Sequence, residues 1–398
     1  MLSPDEQVEI LAERCVDVVT REDLAARIRD GRPLRVKLGI DPSGPMLHLG
    51  HAVVLRQLRA FQDCGHKAVL VVGDFTAQIG DPTGRDNSRK PRSREEVEAD
   101  MISYSEQAAA IIDIDSAEVR YNSEWLGKLT FAEVIGLCAR TTVARMLERD
   151  DFSKRYADGA SIGLHEFMYP IAVAYDSVVL DADVELGGTE QLFNLLMGRR
   201  LQSDMGRRPQ ICMTLPILEG TDGVQRMGKS LNNYIALRDE PAQMFGKIMS
   251  LPDALLERYW RLAAVRTKAE TDAILSDLSS GALSARDSKM SLAEDIVRLY
   301  HGADAALGAR AHFEKTVVRK EMPDQIPSFA LPADLGGATL AKVLVAAGFA
   351  ESNRDAQRLI AAGAVKVDGT RIDDAKHAVS DWRGKVLQKG NHQFVRLT

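Results

Sequence analysis

The segment from Leu34 to Gly73 leaves this chain few folds to choose from. Leu34-Arg-Val-Lys-Leu-Gly-Ile40 reads as a strand that breaks at Asp41-Pro42-Ser43-Gly44-Pro45 and gives way to a helix starting near His48. Lys67-Ala-Val-Leu-Val-Val-Gly73 then reads as a second strand. It is so uniformly apolar that both its faces must be covered, as they are in a parallel sheet. Strand, helix and parallel strand make a βαβ unit. Further apolar runs at Val178-Val-Leu180 and Ile211-Cys-Met-Thr-Leu215 predict that the sheet extends to about residue 220.

The fold predicted is therefore α/β: a doubly wound, Rossmann-like parallel-sheet domain over residues 1–235, followed by two smaller domains. From Pro241 to about Tyr300 the apolar spacing becomes helical, as in Ala242-Gln-Met-Phe-Gly-Lys-Ile-Met249, so residues 236–320 are assigned to a helical domain. Pro323, Pro327, Pro332 and Gly336-Gly337 punctuate an interdomain linker at 321–337. In the tail, 338–398, Leu340–Phe349 and Ser352–Ala362 read as helices, with Gly363 as a stop. Ala364–Ile372 reads as a hairpin turning at Asp368-Gly369, which makes the tail a small α+β domain.

At 398 residues, 27% charged and 45% hydrophobic, the chain has the profile of a globular protein with two or three cores. The four cysteines, Cys15, Cys64, Cys138 and Cys212, form no Cys-x-x-Cys pair, so neither a structural zinc nor a disulfide framework is expected. With no basic-then-apolar leader and no membrane-length run, a cytoplasmic location and no membrane contact are predicted. The net charge of −6 hides a contrast, because residues 338–398 carry ten Lys/Arg against six Asp/Glu. A basic tail on an acidic body points to a localised polyanion contact.

Two constellations carry chemistry. Gly39 and Asp41 lead into His48-Leu49-Gly50-His51, where a strand ends and a helix begins. Ligands of open α/β sheets bind at such places, and the helix N-terminus favours phosphate. Two imidazoles there can donate to a triphosphate, and Gly50 lets a nucleotide approach the backbone. An isolated histidine pair would read as ordinary helix-cap residues. The second constellation is a basic loop, Arg226-Met227-Gly228-Lys229-Ser230. Gly223 to Ser230 also matches the pattern G-x-x-x-x-G-K-[ST], but Leu231-Asn-Asn-Tyr234 starts a helix poorly, which argues against a P-loop.

The pairing of His48-Leu-Gly-His51 with Arg226-Met-Gly-Lys-Ser230 resembles the HIGH and KMSKS signatures of class I aminoacyl-tRNA synthetases, with Arg226 and Gly228 replacing a Lys and a Ser. Gly73-Asp-Phe-Thr76-Ala-Gln78-Ile-Gly80-Asp81, His165 to Asp176, and Gly187-Gly188-Thr189-Glu190-Gln191 resemble the bacterial tyrosyl branch. The resemblance implies an ATP-dependent ligase that activates L-tyrosine as its adenylate and transfers it to tRNA(Tyr). Magnesium would accompany ATP, and the enzyme would be a homodimer. It also implies catalytic roles for His48, His51, Arg226, Lys229 and Ser230. ATP would be bound by Gly39, Asp41, Gly50, Gly188, Glu190 and Lys229. Asp176 would accept the substrate hydroxyl, Asp81 and Tyr169 would hold the ammonium group, Gln191 would approach the adenylate, and Lys37, Thr76, Gln78 and Val173 would complete the amino-acid pocket.

The chain departs from that branch at Val173, where a Gln is usual, at Lys37, where a Tyr is common, and at Glu190, where an Asp is common. Gln78 stands where it could compensate for Val173. The tail resembles the RNA-binding domain of a ribosomal protein, through Ser352–Gly363 and Val365–Gly369, with Arg354, Arg358, Lys366 and Arg371 as its RNA contacts. Two other readings stand beside the ligase: an RNA-binding paralogue without activity, and activation of a tyrosine-like amino acid for another acceptor.

Overall fold

The computed structural model describes the chain apart from residues 1, 41–45, 81–93, 320–325, 333–334, 336–337, 375–376, 378–381 and 391–392. It divides into two compact units, Met1–Gly302 and Ala303–Thr398. The first combines the sheet with most of the segment read as a helical domain; the boundary falls at Gly302 rather than at 320.

Strands β1 (Asp17–Val19), β2 (Arg35–Ile40), β3 (Lys67–Val72), β4 (Glu118–Tyr121), β5 (Val184–Gly188) and β6 (Ile211–Leu215) form one sheet in the order β1-β6-β5-β2-β3-β4. All its pairings are parallel except that of β1 with β6. Ala68 to Val72 are each at most 1% exposed, as a strand covered on both faces requires. The chain winds from β2 through β3 to β4 on one side and from β5 to β6 on the other. The order therefore reverses between β2 and β5, and that crevice is where a doubly wound sheet binds its ligand.

Two sequence expectations are corrected. Val178–Leu180 belongs to no strand: Val178 and Val179 end the helix Leu164–Val179 and Leu180 caps it, and the strand follows at β5. A short apolar run is compatible with either state, and here the helix lying against the sheet claims it. The segment expected as a linker, 321–337, contributes β7 (Ser328–Phe329) to the sheet of the second unit. Expected residues Pro323 and Gly336-Gly337 lie outside the described residues.

The second unit carries that sheet in the order β7-β11-β10-β8-β9, with β8 at Val365–Val367, β9 at Thr370–Arg371, β10 at Val386–Lys389 and β11 at Gln393–Leu397. The helices Leu340–Ala346 and Asn353–Ala361 pack on it around the fully buried Trp382. Ser352 caps the second helix through a bond from the Asp355 N–H, 3.2 Å. The β8–β9 turn places Asp368 and Gly369 at φ 46° and 81°, the paired positive values that a two-residue hairpin turn requires. No helix among the described residues is long and apolar enough to cross a membrane.

Candidate active site

The helix Leu49–Asp63 begins at the carboxyl end of β2, with His48 extended at its N-cap (φ −133°). Its entry is fixed from afar: Leu49 N–H donates to the Ile235 carbonyl (3.0 Å), Leu237 N–H donates to the Leu47 carbonyl (2.9 Å), and His48 bridges to Ala236. His51 Nδ1 accepts from the His48 backbone N–H at 3.3 Å, so the neutral ring carries its proton on Nε2. The two rings lie 3.9 Å apart.

Burial pushes His48 down to about 2, with help from His51 and the nearby Lys229 ammonium. Burial and Lys229 likewise push His51 down to about 4. Both imidazoles are therefore neutral donors at neutral pH, and the positive charge beside them is that of Lys229. A Cβ on Gly50 would stand 3.0 Å from the His48 ring, so this glycine serves the histidine as well as any nucleotide.

The loop carrying Lys229 is internally braced. Met227 N–H donates to Leu218 O (3.1 Å), Gly220 N–H to Gln225 O (2.9 Å) and Gly228 N–H to Asn233 Oδ1 (2.8 Å). Asn233 Nδ2 donates in turn to Asp222 (2.6 Å) and to the Arg226 carbonyl (3.1 Å). Met227 is buried, and its Cβ faces Gly50. Lys229–Leu231 make one 3₁₀ turn that Asn232 ends in the left-handed conformation (φ 50°). No α-helix starts at Lys229, which removes the P-loop reading. Ser230 is exposed beside it. Arg226 reaches over to Glu190, in the 3₁₀ turn that follows β5, at 2.7 and 2.8 Å.

The crevice floor is formed by Gly39, exposed although it belongs to a central strand, and by Gly188, whose N–H donates to Gln191 Oε1 at 2.9 Å. Asp176, 3% exposed on the helix Leu164–Val179, stands against residues that follow β3 and β4. Trp125 Nε1 donates to Asp176 Oδ1 (2.8 Å), and Asn122 Nδ2 donates to Asp176 Oδ2 (3.3 Å) and to Thr76 Oγ1 (3.1 Å). A carboxylate has about four acceptor sites, so two remain for a further donor. Tyr169, 4% exposed, and Val173 lie on the same helix. Among the described residues, Gln78 Nε2 reaches the Asp74 carbonyl in a long contact, 3.4 Å. Asp41 and Asp81 lie outside the described residues.

Asn122 and Trp125 were missed in the sequence. They follow β4, whose Glu-Val-Arg-Tyr composition gives little strand signal, and they belong at its carboxyl end. Asp74 was missed too; it accepts from Ser123 N (2.9 Å) and Oγ (2.5 Å) and so ties the end of β3 to that of β4. Lys37 does not line an open pocket. It is fully buried, and its ammonium meets Glu185 (2.8 Å), Ser177 Oγ (2.9 Å) and the Val173 carbonyl (2.9 Å).

In the second unit, Arg354 and Arg358 are exposed on the helix Asn353–Ala361, Arg358 donating to Asp355 at 2.7 Å. Lys366 pairs in register with Arg371 across the hairpin, and the Arg371 guanidinium lies over Gly363, where any Cβ would collide with it.

The family described as tRNA synthetases class I (W and Y) matches residues 29–318, and the S4 domain matches residues 339–381. The chain is 49% identical to the tyrosine–tRNA ligase of Moorella thermoacetica, over 98% of this chain and 95% of that protein. It is 48% identical to the one of Thermotoga maritima, over 100% and 98%. Among solved structures, a C-terminally truncated mitochondrial tyrosyl-tRNA synthetase of Aspergillus nidulans aligns with TM-score 0.62 and 26% identity, covering 77% of this chain and 92% of that one. The fold is also that of the tyrosyl-tRNA synthetase of Archaeoglobus fulgidus, at TM-score 0.64 and 23% identity, covering 78% and 100%.

Proposed function

The chain belongs to the class I tRNA synthetases of the tryptophan and tyrosine branch, and from that premise we propose that it is a tyrosine–tRNA ligase. A tyrosine carboxylate oxygen attacks the α-phosphorus of ATP, forming tyrosyl-adenylate and releasing pyrophosphate. A hydroxyl of the terminal ribose of tRNA then attacks the carbonyl carbon and releases AMP. The substrate carboxylate is already ionised, so the first step needs no general base. It needs positioning and neutralisation of the charge that builds on the leaving pyrophosphate. Lys229 and Arg226 supply the cations from the loop, and His48 and His51 supply neutral donors from the helix entry. ATP enters as its magnesium complex.

The observation that carries the choice of tyrosine is Asp176: a buried carboxylate beside the residues that follow β3 and β4, oriented by Trp125 and Asn122, with acceptor capacity left over for a phenol. Sites that read a hydroxyl this way reject the analogue lacking it by about 10⁴–10⁵-fold; tyrosyl enzymes are the known instance of that general figure, which is not a measurement on this chain. Tyr169, with Asp81, is assigned to the ammonium group, and Gly39, Gly50, Gly188 and Glu190 to the nucleotide side. The S4 unit, with Arg354, Arg358, Lys366 and Arg371, is assigned to tRNA. A homodimer is supported by the helix Phe131–Cys138, which leaves Phe131 80% and Ile135 54% exposed one turn apart.

Amino-acid-dependent ATP–pyrophosphate exchange across the standard amino acids tests the reading. Exchange driven by tyrosine alone is expected. Exchange driven by tryptophan, or by no amino acid, would overturn it.

A further inference from the structure

Behind Asp176 the protein buries two more charges. Lys37 on β2 is 0% exposed and Glu185 on β5 is 2% exposed, and the ammonium and carboxylate meet at 2.8 Å. An ammonium has three protons. Those of Lys37 are matched by Glu185 Oε1, Ser177 Oγ and the Val173 carbonyl, so none is left for a ligand. Two of these acceptors, Val173 and Ser177, lie one helical turn apart on either side of Asp176. Glu185 Oε2 also accepts from Ser177 (3.2 Å) and from Gln210 Nε2. Room for this knot comes from Gly198, where a Cβ would stand 2.7 Å from Gln210 Nε2 and 3.0 Å from Ser177 Oγ.

Burying an ion pair gives little net stability, whereas leaving one partner alone in the interior is costly. Such a pair therefore invites a role other than holding the fold. We infer that the Lys37–Glu185 pair is a specificity-determining positioning device: Lys37 offsets the charge of Glu185 and clamps the helical turn that carries Asp176, which keeps Asp176 placed and able to accept the substrate hydroxyl. This rests on the assignment of tyrosine as substrate. Among the described residues, the charged groups that act on Asp176 are Lys37 from β2 and Glu185 from β5, and Asn122 and Trp125 are neutral donors to it; Cys212 on β6, beside Lys37 and Glu185, is a thiol that burial pushes up. Burial is the largest influence on Asp176 and raises it; Lys37, then Trp125 and Asn122, lower it and Glu185 raises it, and together they leave it at about 7. Removing Lys37 alone would leave Glu185 to act against Asp176 unopposed.

The test is steady-state pyrophosphate exchange with tyrosine and with phenylalanine, from pH 6 to 9, on the full-length protein. In Lys37→Met the ratio of kcat/KM for tyrosine to that for phenylalanine is expected to fall by about tenfold or more, through the tyrosine KM and most steeply at low pH. Lys37→Met/Glu185→Gln should recover part of the loss. A ratio within about threefold of wild type in Lys37→Met, or a double variant no better than the single one, overturns the inference. Should Lys37→Met fail to fold, Glu185→Gln carries the test. It removes a like charge, so the pH inflection of the tyrosine KM must move down, and an unmoved inflection overturns the inference. A wild type that activates no tyrosine would instead overturn the assignment of function.

Discussion

Arg226 holds Glu190 with a single guanidinium nitrogen poised between both carboxylate oxygens, 2.7 and 2.8 Å away. One residue belongs to the signature loop and the other to the turn after β5, so the pair spans the crevice in which the nucleotide is proposed to sit. Both side chains are about one-third exposed, 35% and 34%. A half-exposed ion pair contributes only about 0.2–1 kcal/mol, little enough for an incoming triphosphate to compete for the arginine.

Glu190→Gln should therefore release Arg226 without disturbing the fold. The KM for ATP in pyrophosphate exchange is expected to change by less than about fivefold, with a reduced dependence on salt between low and moderate ionic strength. A change of a hundredfold would mean that direct contact with the nucleotide, and not the hold on Arg226, is the main role of Glu190.

The charge of Lys229 lowers both His48 and His51, after burial. Lys229→Ala is expected to lower single-turnover adenylate formation by about 10²–10³-fold while tyrosine binding, followed by equilibrium dialysis, stays within a factor of about three. Equal losses in both would move Lys229 from the leaving group to the amino acid.

The neutral histidines give a signed pH prediction. Unfolded histidine titrates near 6.5, whereas folded His51 and His48 titrate near 4 and 2. Between pH 6.5 and 4 the unfolded chain therefore binds protons that the folded chain does not, and stability falls as pH falls. The loss is up to about 1.4 kcal/mol per pH unit for each ring. Thermal melts from pH 7 to 4.5 should show this decline, and it should be shallower in His51→Gln. An unchanged slope in that variant would remove His51 as its source.

The second unit should matter to the second half-reaction only. Arg354→Glu/Arg358→Glu in the full-length chain is expected to weaken tRNA charging by about tenfold or more at moderate salt while pyrophosphate exchange is retained. Loss of exchange as well would make these arginines structural.

Much of this was legible because it is local. The strand Arg35–Ile40, the helix from Leu49, the Ser352 cap and the Asp368-Gly369 turn are each specified by residues within a few positions of one another. What was illegible depends on distant partners. β7 has two residues and exists only because β11 pairs with it. Val178–Leu180 is apolar enough for either state, and packing decided it. Asn122 and Trp125 carry no pattern that marks them; they matter because β4 delivers them to Asp176. Lys37 stood out as a residue in an unusual place, but its partner Glu185, on a strand the sequence did not reveal, could be found only in three dimensions.

The bridge between His48 and Ala236 joins positions nearly two hundred residues apart. The nucleotide-binding end of the molecule therefore has a birth order. On the ribosome, the histidine-bearing helix emerges long before the chain that fixes its entry, and β5, β6 and the lysine loop must all follow before the bridge can close. Contacts of such long sequence separation form late and slowly. A nascent chain ending before about residue 235 would already carry the residues around Asp176 and the lysine loop but would lack the segment that fixes the entry of the histidine helix, so the nucleotide end of the site is the last to be completed.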